Sequence, residues 1–182
     1  MASFPDNQVV TYEEWLTMAE VEGEEVVNGE IRILPPARVT HAMIAAQIQL
    51  GLAGQLDPKT YYVFTGSFGI VIQVKPLICR TPDLAVYDRA TMNQVDGYLR
   101  SAPELAIEVL SPRNTPQDMR LKIAEYSAVG FPELWVMAPE SRSIEIWLLR
   151  DEQLRRSAVT TEGLLHPTRL AVAIDVATIW PA

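Results

Sequence analysis

The stretch Leu105-Ala-Ile-Glu-Val-Leu-Ser-Pro-Arg-Asn-Thr-Pro-Gln-Asp118 decides the fold. Its first six residues form a nearly continuous apolar run, which is typical of a strand buried on both faces and therefore central in its sheet. The following Thr115, Pro116 and Asp118 predict a helix with Thr115 as its N-cap residue. A buried strand followed closely by a helix favours an α/β or α+β domain around one mixed sheet.

Further helix and strand signals follow toward the C-terminus. The predicted helix runs to about Gly130. Three segments then alternate like an antiparallel meander with short polar turns. A last helical turn is predicted at Asp175–Trp180. The three predicted strands of the meander are Glu133–Ala138, Ser143–Leu149 and Gln153–Thr160.

Toward the N-terminus, the segment Thr11-Tyr-Glu-Glu14 is a capping box that predicts a short helix. The segment Glu24–Leu34 alternates on both sides of Asn28-Gly29, which predicts a β-hairpin. From Thr40 onward apolar residues recur at helical spacing, with Thr40 as the predicted N-cap residue and His41 at the head of the buried stripe. Further strands are predicted at Tyr61–Thr65, Phe68–Val74 and Pro82–Tyr87.

Length and composition favour one folded domain over residues 1–182. The chain is 48% hydrophobic, and a chain of this size buries enough surface to fold without metal or disulfide crosslinks. Its single cysteine, Cys79, excludes an intramolecular disulfide. With no secretion signal at the N-terminus and no long apolar run, we expect a cytoplasmic protein without a membrane span. The net charge of −8 disfavours a broad positive surface for nucleic acid.

Two carboxylates lie where burial is costly. Asp83 follows a proline at the start of an apolar strand, and Glu108 lies inside the central apolar run. A buried Glu needs a partner, because removing its charge from water costs several kcal/mol. One interpretation is an ion pair with an arginine, or a strand end that reaches water. The other is that the two carboxylates form half of a site for a hard cation such as Mg²⁺.

Lys122 lies at the border of the core-facing stripe on the helix that follows Glu108. From there a long side chain can extend toward the end of a strand. The alternative is an exposed lysine that pairs with Asp118 one turn earlier, at i, i+4.

An ordered set of motifs resembles the Uma-two (Uma2) family, a group of restriction endonucleases in the PD-(D/E)XK nuclease superfamily. The resemblance covers most of the chain, from the hairpin to the segment that ends at Asp175. It depends on the order and spacing of Pro82-Asp83, Glu108-Val-Leu-Ser-Pro112, Lys122, Tyr126-x-x-x-Gly130 and Glu133–Pro139.

This resemblance implies a restriction-endonuclease-like mixed sheet flanked by helices, with an added N-terminal hairpin and the C-terminal antiparallel meander. It implies that Asp83 and Glu108 are ligands of Mg²⁺, or alternatively Mn²⁺, with the backbone carbonyl of Val109 as a third ligand. The residue two after Glu108 is Leu110, where the superfamily's simplest pattern has lysine. The family shows the same departure, which implies that the lysine's role belongs to Lys122 on the next helix.

Two further polar positions match residues that are common in the family. Glu25 precedes the turn of the hairpin, from which its carboxylate could reach the metal. His41 begins the first core helix, where it could contact a phosphate or a water. The alternative for His41 is a hydrogen-bonded histidine with a structural role at the start of a helix.

The leading hypothesis is therefore a metal-dependent endonuclease that hydrolyses phosphodiester bonds of DNA and acts as a homodimer. A second hypothesis is a catalytically silent module that keeps the nuclease fold and binds DNA or a protein partner. A third is a nuclease for RNA or for branched or damaged DNA. It would use the same chemistry and would differ in the groove that binds the nucleic acid. Metal-dependent cleavage distinguishes the first and third hypotheses from the second.

Overall fold

The computed structural model describes residues 9–18, 23–66 and 68–181. Within these described ranges the chain forms three α-helices, one short 3₁₀ turn and fourteen strands. The helices are α1 (Tyr12–Leu16), α2 (Val39–Ala53) and α3 (Pro116–Val129), and the 3₁₀ turn is Val176–Thr178. The strands are β1 (Glu24–Val27), β2 (Glu30–Ile33), β3 (Tyr61–Thr65), β4 (Ile70–Gln73), β5 (Ile78–Arg80), β6 (Leu84–Asp88), β7 (Gln94–Val95), β8 (Tyr98–Leu99), β9 (Leu105–Val109), β10 (Glu133–Ala138), β11 (Ser143–Arg150), β12 (Gln153–Thr160), β13 (Leu164–Leu165) and β14 (Ile174–Asp175).

The strands form two six-stranded sheets and a two-stranded ribbon. The central sheet has the order β12-β11-β10-β9-β6-β3, and the second sheet has the order β2-β1-β5-β4-β8-β7. In the central sheet β9 and β10 are parallel, while β9 is antiparallel to β6. The sheet is therefore mixed, and the predicted fold class is confirmed. The structure differs in having two large sheets where the sequence pattern predicted one.

The apolar run in β9 lies where its sequence predicted. All five residues of β9 are buried, between β6 and β10. Side chains at odd positions, such as Ile107, pack with the core beside α2, and those at even positions, such as Ala106, pack with the core beside α3. Because side chains alternate along a strand, Glu108 lies on the α3 face.

The ends of α3 also match the prediction. Thr115 and Asp118 form the reciprocal hydrogen bonds of a capping box at its N-terminus. At its C-terminus Gly130 adopts φ +84°, a left-handed conformation that glycine adopts without strain. These local bonds fix where the helix begins and therefore where Lys122 lies on it.

The predicted start of α2 was wrong. The N-cap residue is Arg38, which makes no side-chain capping bond, and Thr40 already lies in the first turn. The buried stripe was predicted correctly, since Ile44, Ile48 and Leu52 are fully buried. The apolar spacing thus located the helix face but not its first residue.

The hairpin prediction is confirmed. Asn28 and Gly29 have φ values of +53° and +81°, as a two-residue hairpin turn requires. The hairpin does not stand alone, because β1 also pairs with β5, so that β2 becomes an edge strand of the second sheet. The sequence analysis missed β5, which is short and ends in the charged Arg80.

Two predicted strands begin later than expected. β4 begins at Ile70 and not at Phe68, and β6 begins at Leu84 and not at Pro82. Asp83 therefore lies immediately before its strand. In the part of the chain that the structure describes, no helix is both long and apolar enough to cross a membrane.

Candidate active site

A cleft of about 840 Å³ opens where β9 ends and α2 begins. Its walls come from four loops or strand ends that are distant in sequence. Predicted site residues line its floor, and apolar and arginine side chains line its rim. The lining residues are Leu34, Pro35, Pro36, Ala37, Arg38, Thr40, His41, Thr81, Asp83, Glu108, Val109, Leu110, Ser111, Pro112, Arg113, Asn114, Lys122, Ala138, Pro139 and Glu140.

Asp83 connects the start of β6 to the start of α2. Its Oδ1 lies 3.1 Å from Nε2 of His41. Its Oδ2 accepts a hydrogen bond of 2.7 Å from the backbone N–H of Val109. Both side chains remain partly exposed to the cleft. The carboxylate is thus fixed by its neighbours and still reaches solvent.

The pKa of His41 is raised above its ordinary value. The hydrogen bond to Asp83 contributes most, burial opposes it, and the negative charges of Asp83 and Glu108 add to it. A backbone hydrogen bond with Val109 contributes in the same direction. The backbone of Val109 therefore lies beside the imidazole ring, and Val109 also lines the cleft.

Glu108 is buried and fully engaged by side chains of α3. Nζ of Lys122 lies 3.1 Å from both carboxylate oxygens. The hydroxyl of Tyr126 donates a hydrogen bond of 2.6 Å to Oε1. Burial raises the pKa of Glu108, and the negative charges of Asp83 and Glu25 add to the rise, while Lys122 opposes it. The expected ion pair exists, but its cation is a lysine and not an arginine.

Lys122 is only 8% exposed, so its interpretation as an exposed partner of Asp118 was wrong. Nζ lies between two carboxylates, 3.0 Å from Glu25 and 3.1 Å from Glu108. Burial would lower the pKa of Lys122, but the two negative charges outweigh it and raise that pKa. Asp118 instead caps α3 by accepting a hydrogen bond from Thr115.

Glu25 reaches the site from the second sheet. Besides Lys122, it accepts a hydrogen bond of 2.8 Å from Arg80. Burial alone would raise the pKa of Glu25, but the charges of Lys122 and Arg80 hold it below its ordinary value. Glu25 is therefore an ionised carboxylate that joins the hairpin to α3, and it does not line the cleft.

Two charged residues next to the site, Arg80 and Glu125, were not singled out by the sequence analysis. Arg80 donates two hydrogen bonds to Glu125, of 2.6 Å and 3.1 Å, in addition to its bond with Glu25. Tyr126 was named there only as part of the family motif Tyr126-x-x-x-Gly130, without a role in the site. Two signals could have indicated them: Arg80 is a charge that ends an apolar run, and Tyr126 follows Lys122 by one helical turn.

The tertiary structure thus brings the predicted residues together in one place. Asp83, His41, Glu108 and Lys122 line the cleft with Val109, and Glu25 supports it from behind. Among the described residues, no three side chains of His, Cys, Asp or Glu are grouped closely enough to hold a metal ion. Any cation in the cleft would therefore depend on two carboxylates, backbone oxygen and water.

The architecture is that of an α+β domain in which helices flank a mixed central sheet. A similar solved structure is described as "a putative nuclease belonging to DUF820 from Anabaena variabilis ATCC 29413". The two chains share 17% sequence identity with a TM-score of 0.74, and the similarity covers 93% of this chain and 97% of that chain. At this identity the comparison establishes the fold.

The family follows from the sequence. The Uma2 family, described as "Putative restriction endonuclease", matches residues 9–177. The chain therefore belongs to the Uma2 family. No protein with curated annotation matches it.

Proposed function

We propose that the protein is a Mg²⁺-dependent endonuclease that hydrolyses phosphodiester bonds of DNA. The observation that carries this proposal is the convergence of Asp83, Glu108 and Val109 on one cleft that also holds Lys122. The family's description supports nuclease activity in general. The metal, the DNA substrate and the residue roles are part of the proposal.

The chemistry of the donors fits Mg²⁺. This ion takes oxygen ligands, and it commonly uses one or two carboxylates while keeping several waters. Asp83 and Glu108 would supply the carboxylates, and Val109 would supply the carbonyl. When bound, such an ion polarises the phosphate and lowers the pKa of a coordinated water.

Lys122 is the cation that this chain places at the floor of the cleft. Its contact with Glu25 would keep the ammonium in place if Glu108 turned toward a ligand, because the two carboxylates now share it. A fixed positive charge near the reacting phosphate stabilises the negative charge that develops during hydrolysis. We assign this role to Lys122, and we assign to Glu25 the role of positioning it.

His41 would act at the opposite wall. Its raised pKa favours the imidazolium near neutral pH, and its Nε2 is already held by Asp83. In this state the ring would place a positive charge beside a phosphate bound in the cleft, which stabilises negative charge that develops there. The exposed Arg38 and Arg113 on the rim supply the remaining positive charge for a phosphate backbone.

The test combines metal binding with cleavage. Titration calorimetry with MgCl₂ and nicking of a supercoiled plasmid are measured on the wild type, on Asp83→Ala and on Glu162→Gln. Glu162 is exposed and lies outside the cleft, so it serves as the matched control. We expect binding and nicking in the wild type and the control, and the loss of both in Asp83→Ala. Wild-type nicking by Asp83→Ala would refute the proposed site.

A second candidate is a catalytically silent module that binds nucleic acid or protein. It is favoured by the engagement of both Glu108 oxygens by Lys122 and Tyr126, since these donors compete with a metal ion for that carboxylate. A folded wild type that binds a labelled duplex but never nicks it, with Mg²⁺ or Mn²⁺, would support this candidate. Cleavage of RNA in preference to duplex DNA would instead identify a ribonuclease with the same chemistry.

A further inference from the structure

A line of apolar residues runs along the solvent-facing side of α2 from its first to its last residue. Val39, Met43 and Leu50 are 76%, 46% and 69% exposed. Ala46 and Ala53 are exposed on the same side. These five residues, here called the outer stripe, follow one another at alternating steps of four and three residues. This is the spacing of the a and d positions through which helices pack against each other.

The helix also contains no Lys, Arg, Asp or Glu. The chain contains 15 basic and 23 acidic residues, but none of them lies in α2. The exposed face of a helix normally carries charged residues, whereas an apolar stripe normally packs against another part of a protein. In α2 only the side opposite the outer stripe packs against the core of its own chain.

We propose that the outer stripe is the surface through which two copies of this chain associate, with their α2 helices antiparallel. In this arrangement a two-fold axis passes near Ala46, so that Ala46 faces its own copy. Val39 then faces the partner's Ala53, and Met43 faces the partner's Leu50. Such a pairing is self-complementary, as a symmetric dimer interface requires.

The charge distribution favours a second copy over other occupants. Each copy has a net charge of −8, so two copies repel each other through most of their surfaces but not through α2. Nucleic acid is disfavoured, because the outer stripe offers no cation to a phosphate. A membrane surface is disfavoured for the same reason, since helices that lie on membranes carry Lys and Arg on their polar face.

The size of the outer stripe predicts a weak dimer. Fourteen rises of 1.5 Å make it about 21 Å long. Two helices of this length bury on the order of 1,000 Å² in total, which is the low end for a specific interface. We therefore expect an association that reverses on dilution.

The outer stripe begins beside the cleft. Val39 lies between Arg38 and His41, which both line it. Antiparallel pairing would place the two clefts at opposite ends of the helix pair. The association itself does not depend on cleavage, so mass measurements test it independently of the proposed function.

The first test measures mass. Sedimentation equilibrium of the full chain is compared for the wild type, Leu50→Glu and Leu164→Glu over a series of concentrations. Leu164 is 62% exposed and lies outside α2, so it serves as the control. We expect the wild type and the control to approach twice 20.3 kDa and Leu50→Glu to remain monomeric. A monomeric wild type, or a dimer that survives Leu50→Glu, overturns the proposal.

The second test measures which α2 residues of the two copies lie close together. It does not require a charged substitution. Mild oxidation is applied to Ala46→Cys and, separately, to Val39→Cys. The native Cys79 is buried and gives little background. We expect a disulfide-linked dimer from Ala46→Cys alone, because Val39 lies far from its own copy in an antiparallel pair. Dimers from Val39→Cys alone, or from neither variant, overturn the antiparallel pairing.

Discussion

Nζ of Lys122 lies 3.0 Å from Oε1 of Glu25, although the two residues are 97 positions apart in the chain. This contact joins α3 to the hairpin of the second sheet. Glu108 completes the arrangement, because the same ammonium also contacts its carboxylate. One buried cation is thus balanced by two carboxylates, of which Glu108 lines the cleft and Glu25 lies behind it.

Replacing Lys122 with Met should destabilise the fold strongly. Breaking a buried ion pair by removing one partner leaves an uncompensated charge, which typically costs about 3–5 kcal/mol. The measurement is urea unfolding followed by circular dichroism. The exposed Lys59→Met is the control and should change the free energy of unfolding by less than about 0.5 kcal/mol.

A double-mutant cycle tests whether the cost comes from the pairing with Glu108. Glu108→Gln removes one of the negative charges that Lys122 balances. The double variant should therefore lose less stability than the sum of the two single variants. Strict additivity would show that the two side chains contribute independently.

Replacing Arg80 with Lys should also destabilise the protein, although the charge is kept. The guanidinium bonds Glu125 through two nitrogens and Glu25 through a third, which a single ammonium cannot reproduce. We expect a loss of about 1–3 kcal/mol in urea unfolding, which is the cost of hydrogen bonds to charged groups. Arg120→Lys, on the exposed side of α3, provides the comparison. Equal stability of the two variants would contradict the role of Arg80.

Two threonines distinguish a real helix cap from a predicted one. Thr115→Ala removes the side chain that caps α3 and should cost about 1 kcal/mol. Thr40→Ala should cost less than about 0.5 kcal/mol, because Thr40 lies inside α2 and caps nothing. Thermal or urea unfolding of both variants gives the answer. A larger loss for Thr40 would contradict the observed start of α2.

Cys79 should be unreactive in the folded protein. Burial raises the pKa of its thiol to about 12, and the charges of Glu25 and Glu24 contribute to the rise. At pH 8 only about one thiol in 10,000 is then ionised, and the thiolate is the reactive form. The rate of reaction with a disulfide reagent should therefore rise steeply when urea unfolds the chain. Rapid reaction of the native protein would contradict this environment.

The raised pKa of the Cys79 thiol also affects the stability of the protein at high pH. Above about pH 8.5 the unfolded chain loses the Cys79 proton while the folded protein keeps it. The unfolded state then binds fewer protons, so the free energy of unfolding falls as the pH rises toward 12. A Cys79→Ala variant should show a smaller fall between pH 8.5 and pH 10.5 in urea unfolding.

Much of the fold could be predicted because the signals are local. The apolar run in β9, the capping box of α3 and the Asn28-Gly29 turn each act within a few residues. Apolar spacing also located the buried side of α2. The start of α2 was predicted wrongly, because the tertiary structure extends the helix over Val39 although no capping side chain marks its beginning.

The site was only partly predictable for the opposite reason. The sequence indicated Glu108 because a buried carboxylate needs a partner, but it did not identify that partner. The position of Lys122 on its helix was equally consistent with an exposed lysine that pairs with Asp118. Arg80 gave little signal, since it lies in a strand of three residues that apolar spacing does not reveal.

By itself, the sequence determined the class of fold, the central position of β9 and the family of the chain, because apolar periodicity, caps and turns are properties of neighbouring residues. Only the tertiary structure decided that the hairpin joins a second sheet and that Glu25 and Glu108 share Lys122. The physical reason is that the energy of a buried charge depends on every group within a few ångströms. Those groups come from segments that the chain order keeps far apart.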